Sequence, residues 1–267
     1  MKSVHSFYNS QGWKIFSNHY EDANINEDLR LNSREYVSKC RKRILRYIPN
    51  KGSNILDFAS GPIQYKEYLQ YSRKFNYRHC VDFSKDAIKI AKSKIGKKGK
   101  FYCKDFLDIN FKKNYFDCIL SIHTIYHIHK NKQKKAIKKL LSISRDNTPI
   151  IIIYSNPNNI ISKIKLLISF NKIKFFFSNK KSKKNSIYFY CHPISWWMQF
   201  ENEAIVNVYP WRSFSSIHQK FLIPDNLLGK KLFKLLFYLE DKFKNFFINN
   251  FQYYTIVLKK KPKYHKI

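Results

Sequence analysis

Three carboxylates and a scarce glycine stand at intervals suited to ligand binding beyond the ends of β-strands. Asp57 lies in the apolar run Ile55-Leu56-Asp57-Phe58, and the turn Ala59-Ser60-Gly61-Pro62 follows it directly. Only six glycines occur in 267 residues, so Gly61 reads as a place where a ligand can lie against bare backbone. Asp82 comes 25 residues after Asp57 and Asp105 follows it, each at or just past a predicted strand end. A carboxylate at Asp82 can accept both hydroxyls of a ribose, the logic of dinucleotide-binding folds. A pyrophosphate cradle is not expected, because one glycine stands where the G-x-G-x-x-G fingerprint needs three. A second group, His123-Thr124-Ile125-Tyr126-His127, offers two imidazoles able to take a proton near pH 7 and a phenol able to orient a substrate. Each histidine has a plain structural alternative. Histidines at i and i+4 also suit a metal, but no glutamate follows the first, and no metal is expected.

To hold these residues together the chain needs strands that end side by side. Apolar runs predict strands at 54–58, 78–83, 100–103, 116–122 and 149–154, alternating with helices at 63–72, 85–94 and 132–144. Such alternation gives right-handed crossovers and a mostly parallel sheet with helices on both faces, binding its ligand beyond the carboxyl ends of the strands. Two further strands, 204–208 and 254–258, flank a helix bearing Leu228, Leu232, Leu235, Leu236 and Leu239, and would complete a seven-stranded sheet. Residues 1–50 read as an N-terminal helical extension ending at Pro49, with Phe7, Tyr8, Trp13, His19 and Tyr20 either lining a pocket or simply packing. The expected division is therefore extension 1–50, core 51–156, and cap insertion with closing strands 157–267.

Leu56-Asp57-Phe58-Ala59-Ser60-Gly61-Pro62 resembles the first motif of class I S-adenosylmethionine-dependent methyltransferases. Val81-Asp82-Phe83-Ser84 is similar to the family's ribose motif, Lys104-Asp105-Phe106 to its adenine motif, and Phe116 to His123 to its fourth-strand motif. The match spans the core, and within the family it most resembles the small-molecule branch that includes quinone-biosynthesis enzymes. The resemblance implies a Rossmann-like α/β fold with S-adenosyl-L-methionine as cofactor. It implies that Asp57 meets the methionine ammonium, that Ala59, Ser60 and Gly61 form the loop beneath it, and that Asp82 holds the ribose diol with Phe83 beside it. Asp105 would accept from the adenine amino group with Phe106 alongside the ring, while Ser121 and His123 border the sulfonium. His123, Tyr126 and His127 become the catalytic candidates. Ala59 and Ile63 depart from the family, which often has glycine there.

The net charge of +33 raises the question of nucleic acid, and RNA methylation is the alternative reading. Yet only 9 of the 51 basic residues are Arg, the better residue for bidentate phosphate contacts, and no RNA-binding module is present. A small-molecule or lipid-like acceptor is favoured. An inactive cofactor-binding partner of another enzyme is the remaining alternative. No acid occurs between Asp146 and Glu201, where lysines gather among Ile, Leu and Phe, so segment 157–200 reads as a pocket cap or as peripheral contact with an anionic membrane. No uninterrupted apolar stretch approaches the roughly 18 residues of a membrane span. The five cysteines form no C-x-x-C pair, and a cytoplasmic protein is expected.

Overall fold

Four consecutive isoleucines, Ile150 to Ile153, suit only a strand covered on both faces, and they lie at the centre of the sheet. The structure, a computed structural model, describes residues 4–164 and 187–262. Seven strands form its main sheet: β1 (Gly52–Phe58), β2 (Phe75–Asp82), β3 (Gly99–Cys103), β4 (Cys118–Ile122), β5 (Pro149–Ser155), β6 (Ala204–Arg212) and β7 (Tyr253–Lys260). Their order is β3-β2-β1-β4-β5-β7-β6; the first five are parallel, and β7 runs antiparallel to both its neighbours. This is the Rossmann-like seven-stranded sheet expected from the alternation.

Both faces are covered. Leu56, Ile150 and Ile152 enter one core with Ile137 and Leu140, whereas Ile55, Ile151 and Ile153 enter the opposite one with Tyr36, Val37 and Cys40. Seven helices matter to this packing: α1 (Arg34–Lys42), α2 (Lys66–Gln70), α3 (Lys85–Ile95), α4 (Lys130–Ile143), α5 (Ser216–Leu222), α6 (Leu227–Lys242) and α7 (Lys244–Asn250). The Ser84 hydroxyl caps α3 by accepting from Ala87 N, and Ala87 and Ala91 are buried along the same helix.

The N-terminal extension is not continuously helical. Two-residue strands Ile15–Phe16 and His19–Tyr20 form a hairpin across Ser17 and Asn18, both at positive φ as a type I′ turn requires. Ser-Asn carries no glycine, so the usual sequence signal is missing. The nine-residue α-helix of the extension begins only at Arg34, and Leu31 before it is exposed. The α6 leucines also differ from a simple core stripe, since Leu228, Leu232 and Leu235 face outward while Phe233 is buried and Leu236 and Phe237 pack beside it. Of the acid-free segment, 165–186 lies outside the described residues, including the expected Lys cluster beside Phe175. No described helix is long and apolar enough to cross a membrane.

A buried network joins the extension to the C-terminal part. Glu240 of α6 accepts from Tyr36 Oη at 2.6 Å, from Arg43 at 2.7 Å and from Ser213 N at 2.9 Å. Removing one partner of such a pair leaves a buried charge unanswered, so Glu240→Ala should cost about 3–5 kcal/mol in urea denaturation, and Arg43→Met added to it should recover part of the loss.

Candidate active site

Beyond β1 the chain reverses through three left-handed residues, Ala59 (φ 55°), Gly61 (φ 54°) and Ile63 (φ 50°). Gly61 adopts this conformation freely, whereas Ala59 and Ile63 are strained by it. A Cβ at Gly61 would also stand 2.9 Å from the Trp13 indole, so both conformation and space favour glycine here. The turn is tied to β2: Ser60 N donates to Val81 O at 3.0 Å, and Gly61 N donates to Asp82 Oδ2 at 2.9 Å. Asp82 Oδ1 accepts from Ser84 N, also at 2.9 Å. Burial pushes the Asp82 carboxyl up to about 6, although these two N–H groups pull it down. Asp57, equally buried, forms an ion pair with Arg78, whose guanidinium also donates to Tyr68 O.

The end of β4 brings the second group. His123, at φ 58°, shares a 2.8 Å hydrogen bond between its Nδ1 and Tyr126 Oη, and burial holds its imidazole well below the ordinary range. His127 Nδ1 lies 2.8 Å from Tyr188 O. A carbonyl only accepts, so Nδ1 carries the hydrogen and Nε2 is left with a lone pair. Burial lowers the His127 pKa as well, so the ring is neutral near pH 7.

Both groups open onto one cavity of about 300 Å³ at the carboxyl ends of β1, β2 and β4. Asp57, Ala59, Ser60, Gly61, Asp82, Phe83, His123, Tyr126 and His127 line it together, bringing most of the sequence-predicted site into one place. The N-terminal extension supplies the other wall through Tyr8, Trp13, Asp22, Asn26 and Glu27, so the pocket-lining alternative holds for Tyr8 and Trp13. Tyr8 stacks on Trp13, its hydroxyl donates to Asp22 at 3.1 Å, and the His5 ring stacks on Phe83 at 3.8 Å. Arg212, at the end of β6, also lines the cavity and pairs with Glu27 at 2.7 Å.

Three predicted residues lie off this lining. Asp105 is exposed and caps a short turn by accepting from Leu107 N at 2.8 Å, and Phe106 is buried against Phe58 with ring centroids 4.3 Å apart. Ser121 is fully buried in β4, and its hydroxyl has no hydrogen-bond partner among the described residues. Conversely, Asp22, Glu27, Gln64, Tyr65 and Arg212 were not identified as site residues from sequence. Arg212 sits far along the chain, in a strand whose antiparallel pairing alone brings it here. No group of three or more His, Cys, Asp or Glu among the described residues could hold a metal ion.

Comparison with known proteins identifies the domain that carries this cavity. Residues 56–152 match the family model described as a methyltransferase domain. Residues 56–152 form a class I S-adenosylmethionine-dependent methyltransferase domain. No protein of curated function matches the chain in sequence. Among solved structures, an S-adenosylmethionine-dependent methyltransferase from Archaeoglobus fulgidus superposes with a TM-score of 0.53 at 18% identity, covering 85% of this chain and 95% of that one. The N-methyltransferase NodS of Bradyrhizobium japonicum gives 0.54 at 8% identity, over 87% and 100%. Phosphoethanolamine N-methyltransferase 2 of Haemonchus contortus, in complex with phosphomonomethylethanolamine and S-adenosylhomocysteine, gives 0.50 at 13% identity, over 84% and 53%.

The cofactor of this methyltransferase is S-adenosylmethionine, and the cavity has the means to hold it. Asp82 keeps lone pairs beyond the two it has committed, and Trp13 Nε1 is a buried donor without a hydrogen-bond partner among the described residues. Three outcomes follow. Because the Asp82 carboxyl is protonated below about pH 6, affinity for S-adenosylmethionine should fall about tenfold per pH unit below that point and level off above it. Asp82→Asn should bind weakly at every pH in calorimetry. Ala59→Gly, which relieves a left-handed alanine, should raise stability by about 0.5–1 kcal/mol in thermal unfolding.

Proposed function

We propose that this methyltransferase acts on a small-molecule or lipid-like acceptor held in the same cavity, with His127 as the proton acceptor. The observation that carries the reading is the shared lining: Gly61 and Asp82 on one side, His123, Tyr126 and His127 on another, and the extension from Tyr8 to Glu27 closing over them. In this reading Asp82 accepts from the ribose diol, Gly61 presents bare backbone to the methionine portion, and Phe83 borders the adenosine. Asp57 is already paired with Arg78, so its charge fixes the end of β1 and takes a lesser part in meeting an ammonium. Bound S-adenosylmethionine supplies a methyl carbon activated by positive sulfur. The protein's own residues then align the acceptor, exclude water and receive its proton. His127 Nε2 is the free basic atom, while Tyr126, held by His123, orients the acceptor.

RNA is the less favoured acceptor. Although most of the 51 basic residues are lysine, no lysine lines the cavity among the described residues, and its walls are mainly aromatic and acidic. A phosphate backbone would find its counter-charges elsewhere. Cell extract incubated with methyl-labelled cofactor should therefore carry label in its small-molecule or lipid fraction and not in RNA. His127→Asn should lower turnover by about 10²- to 10⁴-fold with unchanged cofactor affinity, and full activity in that variant would remove the histidine from the mechanism.

A further inference from the structure

Helix α6 presents two apolar faces, and only one of them packs against other described residues. Phe233, Leu236 and Phe237 pack against the core that includes α1. Leu228, Leu232 and Leu235, at i, i+4 and i+7, form a second stripe on the solvent side, with Leu228 58% and Leu235 52% exposed. On α5, the preceding helix, Phe221 is 77% exposed. Scattered exposed leucines are ordinary, but a stripe at helical spacing has the form of an interaction face.

The exposed charges around it are mostly positive, with Glu35 beside Lys230 and Lys234 already paired with Lys39. Lys231, Lys234 and Lys242 are exposed on the same helix. The nearby carboxylates are engaged: Glu240 with Arg43, Asp241 with Arg46, and Asp225 with Asn32. Segment 147–200 contains no acid and so cannot complement this face, and a second copy would set lysine against lysine. The fitting partner is anionic at its surface and apolar beneath. We propose that the outward face of α6 docks on a lipid bilayer containing anionic lipids, its leucines entering the headgroup boundary and its lysines meeting the phosphates. A bilayer suits this face better than an acidic protein does. The stripe runs along one helix, and the cations of that helix are all lysines, point charges suited to a diffuse field and lacking the fork that reads a defined carboxylate.

The test uses the full chain and sedimentation with phosphatidylcholine vesicles, with and without phosphatidylglycerol. Binding is expected only with phosphatidylglycerol and should weaken in high salt. Leu228→Asn combined with Leu235→Asn, which leaves the charge unchanged, should weaken it at least about tenfold while cofactor affinity is kept. Lys97→Gln combined with Lys98→Gln, at the opposite edge of the sheet, should leave binding within about twofold. Several results would overturn the proposal: no sedimentation with anionic vesicles, equal binding by the leucine variant, or equal loss in the remote lysine variant. Binding to polyglutamate in place of vesicles would overturn it in favour of an acidic protein, and a leucine-dependent dimer at sedimentation equilibrium in favour of self-association.

Discussion

The carboxylate of Asp82 is the joint on which the cavity depends. One oxygen holds the N–H of Gly61 and the other that of Ser84, so a single side chain fixes the turn after β1 to the start of α3. Three left-handed residues within five would relax without such a tie, and a buried N–H left unpaired would add its own cost. Burial works against the ionised form, and the two donors offset part of that cost. A carboxylate offers about four lone-pair sites, so the group that builds the turn retains acceptors for a ligand. Structure and binding here rest on the same atoms.

The parallel part of the fold is legible in the sequence because its strands are buried on both faces and appear as apolar runs between polar helices. The four isoleucines of β5 and the pair Ile55-Leu56 in β1 leave little ambiguity. Strand ends are legible too, since an acid or glycine directly after such a run has few structural uses there. Hence Asp57, Gly61 and Asp82 meet at one cavity. At Asp105 the same pattern also has a structural use, since the acid after β3 caps a turn by accepting from Leu107 N. The extension was harder to read. Its hairpin rests on Ser17 and Asn18 in conformations usually signalled by glycine, and Trp13 reaches Gly61 through tertiary folding that no periodicity records. In α6 the leucine spacing marks a face without saying whether the core or the solvent receives it.

Closing the cavity depends on chain segments distant in sequence. Glu27 of the extension takes Arg212 of β6 at 2.7 Å and Arg41 of α1 at 3.4 Å, joining the two sides that the parallel core does not supply. The guanidinium of Arg41 lies over the Tyr65 ring at 3.3 Å, which carries the same contact to the segment after the β1 turn. The extension is therefore part of the cavity's construction and more than an appendage.

The cations are divided by chemistry. Of nine arginines, Arg41, Arg43, Arg78 and Arg212 are buried, and each is paired with an acid: Glu27, Glu240, Asp57 and again Glu27. A planar fork can satisfy an acid and a backbone carbonyl at once, as Arg43 does with Glu240 and Trp211 O, and this makes burial of the charge tolerable. Lysine, a strongly hydrated point charge, does this poorly, and no lysine lines the cavity among the described residues. The large positive balance is thus carried mainly by lysine outside the site, while the interior uses scarce arginine to fasten its elements. A net charge read from composition therefore describes what the surface meets, and the chemistry of the site has to be read from the few residues that the sheet brings together.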